Sequence, residues 1–223
     1  MATRRERLRA QTLQEIEDAS LAIIDADGVE TLSFAGRGRS MAMSAPALYR
    51  YFPSRENLLG YLAALCNRQL AAAMSRGVAG SGKPPLDQIR LLVGAYRDWA
   101  LRYRRRYGLL VGESAANLPA GTPGDDAMNQ AMALLIDLLV AGEGAAASGC
   151  TSADATLDGQ LRLWARSQNR PETPPRAAHA AILIWTRVHG IVSLEHAGVF
   201  DNHSIDAARM RLRVKPSDDY SMW

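Results

Sequence analysis

Residues 44–52 read Ser-Ala-Pro-Ala-Leu-Tyr-Arg-Tyr-Phe. A hydroxyl, a guanidinium and two phenols stand close together here, interleaved with apolar groups. Ser44 can donate to a phosphate or to a base edge. Ala45, Pro46 and Ala47 are small and apolar, suited to the methyl group of thymine. Arg50 adds a cation. Arg55 follows at the start of a helix, where its charge joins free N–H groups and the positive end of the helix dipole. These groups can hold a polyanion. Catalysis has no comparable support, since the chain lacks a nucleophile motif, a paired-acid signature and a phosphate loop. His189 and His196 share a helix face with Glu195 nearby, but two turns separate the imidazoles by about 10.5 Å, too far for one metal ion. Cys66 and Cys150, the two cysteines, supply neither a disulfide framework nor a zinc spacing. The sequence therefore predicts no catalytic residue, no metal and no cofactor.

The elements that must position these groups are helical. Apolar residues recur at helical spacing throughout, and strand signals are scarce. A first helix is expected from about Thr3 to Ala26, with Leu13, Ile16, Ser20, Ile23 and Asp27 on one line. Asp27-Gly28 stops it. Ser33 caps a second, short helix. Ser44 caps a third, with Pro46 in its first turn, where a missing N–H is harmless. Phe52-Pro53-Ser54 ends the third, and Ser54 caps a fourth, Arg55 to about Arg76. Gly and Pro crowd residues 76–85 and mark a hinge. A long stripe follows, from Leu86 through Ile89, Val93, Tyr96, Ala100 and Tyr103 to Tyr107. Further helices are expected near 125–140, 155–168 and 176–198, with a weak one after Ser204. The sum is an all-α chain of roughly nine helices.

The chain has 223 residues, 48% hydrophobic and 22% charged, which fits a globular protein with a real core. No uninterrupted apolar run reaches the ~18–20 residues that span a bilayer, and no apolar signal segment follows the basic N-terminus. The expectation is a cytoplasmic protein with no membrane partner. Net charge is only +3. Its distribution says more: Arg4, Arg5, Arg7, Arg9, Arg37, Arg39, Arg50 and Arg55 all lie in the opening segment. A basic end on a nearly neutral body suits phosphate binding.

Three short helices followed by a long one make a helix-turn-helix plan. The stretch 32–59, LSFAGRGRSMAMSAPALYRYFPSRENLL, resembles the N-terminal domain of TetR-family transcriptional regulators. The match runs through Leu32, Ser33, Met41, Met43, Ser44, Pro46, Leu48, Tyr49, Tyr51, Phe52, Ser54, Arg55, Leu58 and Leu59, and covers roughly residues 8–60. The resemblance implies a helix-turn-helix domain over 1–54, a connecting helix and hinge over 55–80, a larger helical-bundle domain for ligand binding and dimerisation over 81–215, and a frayed tail over 216–223. It implies DNA contacts at Ser33, Ser44, Ala45, Pro46, Ala47, Tyr49, Arg50, Tyr51 and Arg55, with the Tyr49 and Tyr51 hydroxyls on phosphates; a phosphate contact at Arg37 is expected from the residue itself and not from the family pattern. Leu48 and Phe52 would be core. The chain departs from the family at Gly36, Arg37 and Gly38. Two interior glycines weaken a helix by about 1 kcal/mol each, so this helix should be short and soft, with Arg37 turned outward.

Residues 185–190, WTRVHG, resemble the Trp-x-x-x-His-Gly (WHG) motif of one TetR C-terminal subfamily. Ile182, Trp185, His189, Val192 and His196 line one side of their helix. Thr186, Gly190, Ser193 and Ala197 form a small-residue stripe on another. A helix apolar nearly all round is buried on more than one side. Family likeness implies a homodimer joined by the last two helices, with Leu157, Leu161, Thr186, Gly190, Ser193 and Ala197 at the interface. It also implies an inducer cavity. Tyr96, Trp99, Tyr103, Tyr107, Met128, Met132, Trp164, Trp185 and His189 are its expected lining, suited to a small apolar or aromatic inducer. The functional expectation is a repressor on a palindromic double-stranded DNA operator, released by that ligand. The alternative is a helical adaptor whose DNA-binding domain has degenerated.

Overall fold

The structure, a computed structural model, describes residues 3–32, 45–111, 123–143 and 155–201. These residues form eight α-helices and one 3-10 turn, with no strand among them. The chain is all-α. By packing it divides into two compact units, Met1–Gln69 with Arg102–Asp125, and Leu70–Leu101 with Asp126–Trp223.

In the first unit, α1 (Arg4–Asp27) begins on a capping box. The Thr3 hydroxyl accepts from Glu6 N–H at 3.2 Å, and the Glu6 carboxylate accepts from Thr3 N–H at 2.6 Å. Gly28, at φ +91°, ends the helix in a backbone conformation other residues resist. The buried face of α1 is Ile16, Ser20, Leu21 and Ile24. It is rotated from the expected line, with Ile24 rather than Ile23 pointing inward. A 3-10 turn at Val29–Thr31, which no periodicity signals, follows directly. The second expected helix and its cap Ser33, with Gly36, Arg37 and Gly38, lie outside the described residues, as does Ser44.

The third expected helix is α2 (Ala45–Tyr49). Leu48 and Phe52 are buried, as expected. Ser54 caps α3 (Arg55–Val78) through its hydroxyl, which accepts from Asn57 N–H at 3.3 Å. Tyr61 of α3 lies against the Phe52 ring at 5.2 Å and donates to Glu17 of α1. Burial and that carboxylate push the Tyr61 phenol up to about 12.

The single long helix expected from Leu86 to Tyr107 is two. α4 (Pro85–Arg102) stops at Tyr103, and α5 (Arg104–Val111) restarts the chain. Arg102, Arg104, Arg105 and Arg106 would otherwise place like charges three and four residues apart on one helix. Instead Arg106 grips both carboxylate oxygens of Asp25 at 2.9 and 2.6 Å and donates to Gln69 Oε1 at 3.1 Å. Arg105 donates to the Asp25 carbonyl at 2.9 Å. α5 is thereby bound to the C-terminal end of α1 and to α3.

The second unit holds the end of α3, then α4, α6 (Pro123–Glu143), α7 (Ala155–Ser167) and α8 (Pro175–His196). Gly77 of α3 meets Ala95 of α4 so closely that an added Cβ would sit 3.0 Å from the Ala95 Cβ. α7 ends with Asn169 at φ +57° and an Arg170 N–H···Ala165 C=O bond of 2.9 Å, a Schellman-type stop. α7 and α8 pack through Leu161, Ala165 and Ala178, with Leu157, Trp164 and Ile182 around them. The helix α8 is a correction to the apolar-run count. Averaged over its length it is apolar enough to cross a membrane, although no single run is. Its Ala177, Ala178, Ala181, Ile184, Val188 and Val192 are buried within the unit, which accounts for that composition.

Candidate functional site

In the first unit the polyanion-binding groups fall into two sets. Pro46, Tyr49 and Arg50 are exposed, and Ala47 and Tyr51 are half-buried. Tyr49 is 52% exposed, far more than the core residues Leu48 and Phe52 beside it. α2 thus sinks Leu48 into the unit and turns Pro46, Tyr49 and Arg50 outward. Its five residues suffice because the Tyr51 and Phe52 N–H groups close back on the Leu48 carbonyl at 2.9 and 3.0 Å.

Arg55 stands apart from this set. Its Nε donates to the Leu32 carbonyl at 2.7 Å and its Nη2 to the Val29 carbonyl at 2.9 Å. The guanidinium therefore satisfies two carbonyls at the 3-10 turn and ties the start of α3 to the end of α1. Glu56, next along, has its carboxyl held below the ordinary range by a backbone N–H and the Ser54 hydroxyl.

In the second unit, Met74, Leu92, Val93, Tyr96, Ala131, Met132, Leu135, Ile184, Trp185 and Val188 line a cavity of about 10 Å³. That is close to the room one water molecule needs. Three of the nine expected ligand residues, Tyr96, Met132 and Trp185, are in this lining. His189 joins them at the wall: its Nδ1 is 3.0 Å from the Tyr96 hydroxyl, and its ring stacks on Trp185 at 6.0 Å. Trp185 meets Tyr96 edge-on at 5.3 Å. Burial lowers the His189 pKa, which favours the neutral imidazole.

The other expected lining residues are elsewhere. Tyr103 and Tyr107 belong to the first unit, because the chain breaks at Tyr103. Tyr103 carries the Arg106 guanidinium over its ring at 4.6 Å, and Tyr107 is fully buried. Trp164 packs in the α7–α8 cluster. Trp99 is buried and Met128 half-buried, both outside the cavity lining. Residues that aromatic and methionine patterning missed include Met74, which sits on the helix read as a connector. Aliphatic lining such as Leu92 and Ile184 carries no signal that separates it from ordinary core.

The small-residue stripe of α8 faces outward. Thr186 and Ala197 are exposed, Gly190 and Ser193 half-buried, and an added Cβ at Gly190 would meet nothing within 4 Å. Leu163, Leu183 and Leu194 are large exposed apolar groups on α7 and α8. Leu161 is already buried, at 4% exposure, against Ala165 and Ala178 of its own chain. Leu157 packs beside it.

The profile of the family described as Tetracyclin repressor-like, C-terminal domain, matches residues 89–213, more than half of the chain. The chain belongs to the TetR family. It is a DNA-binding transcriptional regulator of the helix-turn-helix class, and the matched family is one of regulators rather than enzymes. The solved structure of SCO4313, a candidate regulatory protein, is 33% identical, with a TM-score of 0.72, and the match covers 93% of this chain and 95% of that one. An HTH-type transcriptional regulator of uncharacterised role from Mycobacterium tuberculosis, Rv0681, is 25% identical over 195 residues, 87% of this chain and 74% of its own length. A protein of unknown function from Rhodococcus sp. RHA1 shares the fold, with a TM-score of 0.63 at 22% identity over 89% of this chain and 88% of that one.

Proposed function

We propose that this TetR-family protein is a cytoplasmic repressor that works as a homodimer, holds a near-palindromic operator, and is released by a small apolar or aromatic ligand. Each copy presents α2 to the major groove, with Ala45, Pro46 and Ala47 toward base edges and Tyr49, Arg50 and Tyr51 toward phosphates. Two-fold symmetry sets the two α2 helices about one DNA turn apart. The outward face of α8, with Thr186, Gly190 and Ser193 between Leu183 and Leu194, supports dimerisation through the last two helices. The juxtaposition of Trp185, His189 and Gly190 on α8 supports membership of the Trp-His-Gly subfamily.

The observation that carries the ligand reading is the Tyr96–Trp185–His189 corner of an otherwise apolar cavity. Apolar walls with one convergent polar pair suit a flat molecule bearing a few polar atoms. The cavity is too small for such a molecule as it stands. Met74 and Met132 in its wall have the unbranched, adaptable side chains that let a site open. Leu92, Val93 and Tyr96 of α4 line the cavity, and the chain runs on from α4 into α5, which is ion-paired to α1. Opening the cavity would displace α4 and pull on that connection.

A mobility-shift assay on the DNA upstream of the protein's own gene tests the reading, with a panel of aromatic and long-chain acids added. A salt-dependent shift that one of them reverses is expected, and Met132→Trp, which fills the cavity, should bind DNA but ignore the ligand. A shift that no panel member reverses in the wild type, or reversal that persists in Met132→Trp, would move the effector to another site.

A further inference from the structure

The first three turns of α1 stand outside the core. Every residue from Thr3 to Gln11 is exposed, and burial begins only at Ile16. At 1.5 Å per residue, the continuously exposed part, residues 4–11, is an arm of roughly 12 Å, beyond which Thr12 and Leu13 are half-buried. It is stiff, because the capping box fixes its first turn and the pairs Gln11–Glu15 and Gln14–Asp18 bridge successive turns at 3.1 and 3.0 Å.

Its charge runs against the helix dipole. Arg4, Arg5, Arg7 and Arg9 occupy the N-terminal turns, whereas residues 10–27 hold Glu15, Glu17, Asp18, Asp25 and Asp27 and no basic residue. Cations at a helix N-terminus and anions at its C-terminus both oppose the macrodipole. Part of the acidic half is held internally, Glu17 by Tyr61 and Asp25 by Arg105 and Arg106. Among the described residues no carboxylate pairs with any of the four N-terminal arginines. Glu6 is turned back on the Thr3 N–H. Around the helix, Arg7, Arg4, Leu8, Arg5 and Arg9 succeed one another over roughly 200°. The result is a fan of guanidinium groups around Leu8, itself 56% exposed. The capping box takes up the Thr3 and Glu6 N–H groups, and the binding groups of the arm are the arginine side chains.

We infer that this arginine fan is a second DNA contact, separate from α2, that grips the phosphate backbone without reading sequence. It rests on the DNA-binding reading of the chain. Four cations spread over more than half a helix circumference suit two rows of phosphates, as on the walls of a groove. An arrangement that weakens its own helix is accounted for by an anionic partner.

The test compares the wild type with a fourfold variant, Arg4→Gln, Arg5→Gln, Arg7→Gln and Arg9→Gln, and with the matching fourfold Arg→Lys variant. Fluorescence anisotropy on a labelled mixed-sequence duplex is followed between about 50 and 200 mM NaCl. The glutamine variant should bind with a salt slope shallower by about 0.9 for each arginine engaged, up to about 3–4 per protomer, and the lysine variant should keep the slope. Circular dichroism should show the glutamine variant melting no lower than the wild type, since cations have left the helix N-terminus. An unchanged slope in a folded glutamine variant overturns the inference. So does capture of the wild type, but not the variant, by phosphatidylglycerol vesicles with the DNA slope unchanged, which would assign the fan to a membrane surface. If the wild type itself shows no salt-dependent binding, the DNA-binding reading fails, and the arm with it.

Discussion

In the first unit most of the long-range polar ties among the described residues are made by arginines, with Tyr61–Glu17 beside them; in the second the packing is aliphatic and aromatic. Arg55 gathers two carbonyls, and Arg106 joins α5 to Asp25 of α1 and Gln69 of α3. The second unit closes on Leu161, Ala165 and Ala178 at one place and around a small, mostly apolar cavity at another. Its polar ties include Arg97–Glu195, which is part-buried, and Arg170–Asp137, which lies toward the surface. The contrast shows that a basic segment holds two populations of arginine. Those that are half-buried and bonded fold the unit, while the exposed ones, Arg4, Arg5, Arg7, Arg9 and Arg50, are available to a partner. Counting charges merges the two populations; hydrogen bonds separate them.

The largest effect is expected in the apolar unit. Leu161→Ala removes a buried side chain from the α7–α8 cluster and should destabilise by about 2–5 kcal/mol. Because Leu161 is buried within its own chain, the loss should be the same when protein concentration is varied in denaturant melts. A loss that grows on dilution would return Leu161 to the subunit interface. Leu183→Ser, on the outward face of α8, should show that dependence instead.

Arg55 sharpens the comparison from the other side. Arg55→Met takes from the Leu32 carbonyl its guanidinium donor and from the Val29 carbonyl one of two donors, the Leu32 N–H remaining, and should destabilise by about 1–3 kcal/mol. The salt slope of DNA binding should hardly change in protein that remains folded. A slope reduced by about 0.9 with an unaltered melting temperature would put Arg55 on a phosphate, as the family resemblance implies.

How far the sequence could be read follows the same division. Residues 44–59 are legible as a motif because a hydroxyl, small apolar groups, two phenols and two guanidiniums stand at the spacing that the family resemblance carries. Helix positions were equally legible wherever caps spelled them out, as at Gly28 and Ser54. The break at Tyr103 was not, because it comes from like-charge crowding and from Arg106 reaching Asp25, about eighty residues away in sequence. That one break places Tyr103 and Tyr107 in the first unit, apart from the unit that holds the cavity. The cavity was legible only at its aromatic corner and at Met132. Ile184 and Leu92 look in sequence like any core residue, and Met74 sits on a helix whose N-terminal half serves the other unit. The exchange of Ile23 for Ile24 on the buried face of α1 has the same origin: local periodicity fixes a stripe's width better than its angle.

A smaller effect tests the exposed population. Tyr49→Phe removes one hydroxyl from a side chain that stands largely in solvent. DNA binding should weaken by about 0.5–1.5 kcal/mol while the melting temperature holds. The expected signature is a uniform loss across DNA sequences, since a phosphate contact carries no sequence information. A loss confined to particular base changes would place the Tyr49 ring against a base edge.

The smallest effect concerns the histidine bonded to Tyr96 beside the cavity. Burial lowers the His189 pKa below its ordinary value of 6.5. Below that value the unfolded chain takes up a proton that the folded chain refuses, so stability is lost as pH falls from about 6.5 toward the folded-state pKa and is fully present above it. A protonated ring also could not accept at Nδ1 from the Tyr96 hydroxyl. His189→Gln removes this titration. Melting temperatures measured from about pH 8 down to pH 5 should therefore fall more steeply for the wild type than for His189→Gln, and the other histidines, common to both proteins, cancel in the difference. Parallel curves would mean that water reaches the ring freely and that the Tyr96–Trp185–His189 corner is open rather than closed. That result would also weaken the ligand reading, because an open, hydrated corner has no buried polar pair to offer a guest.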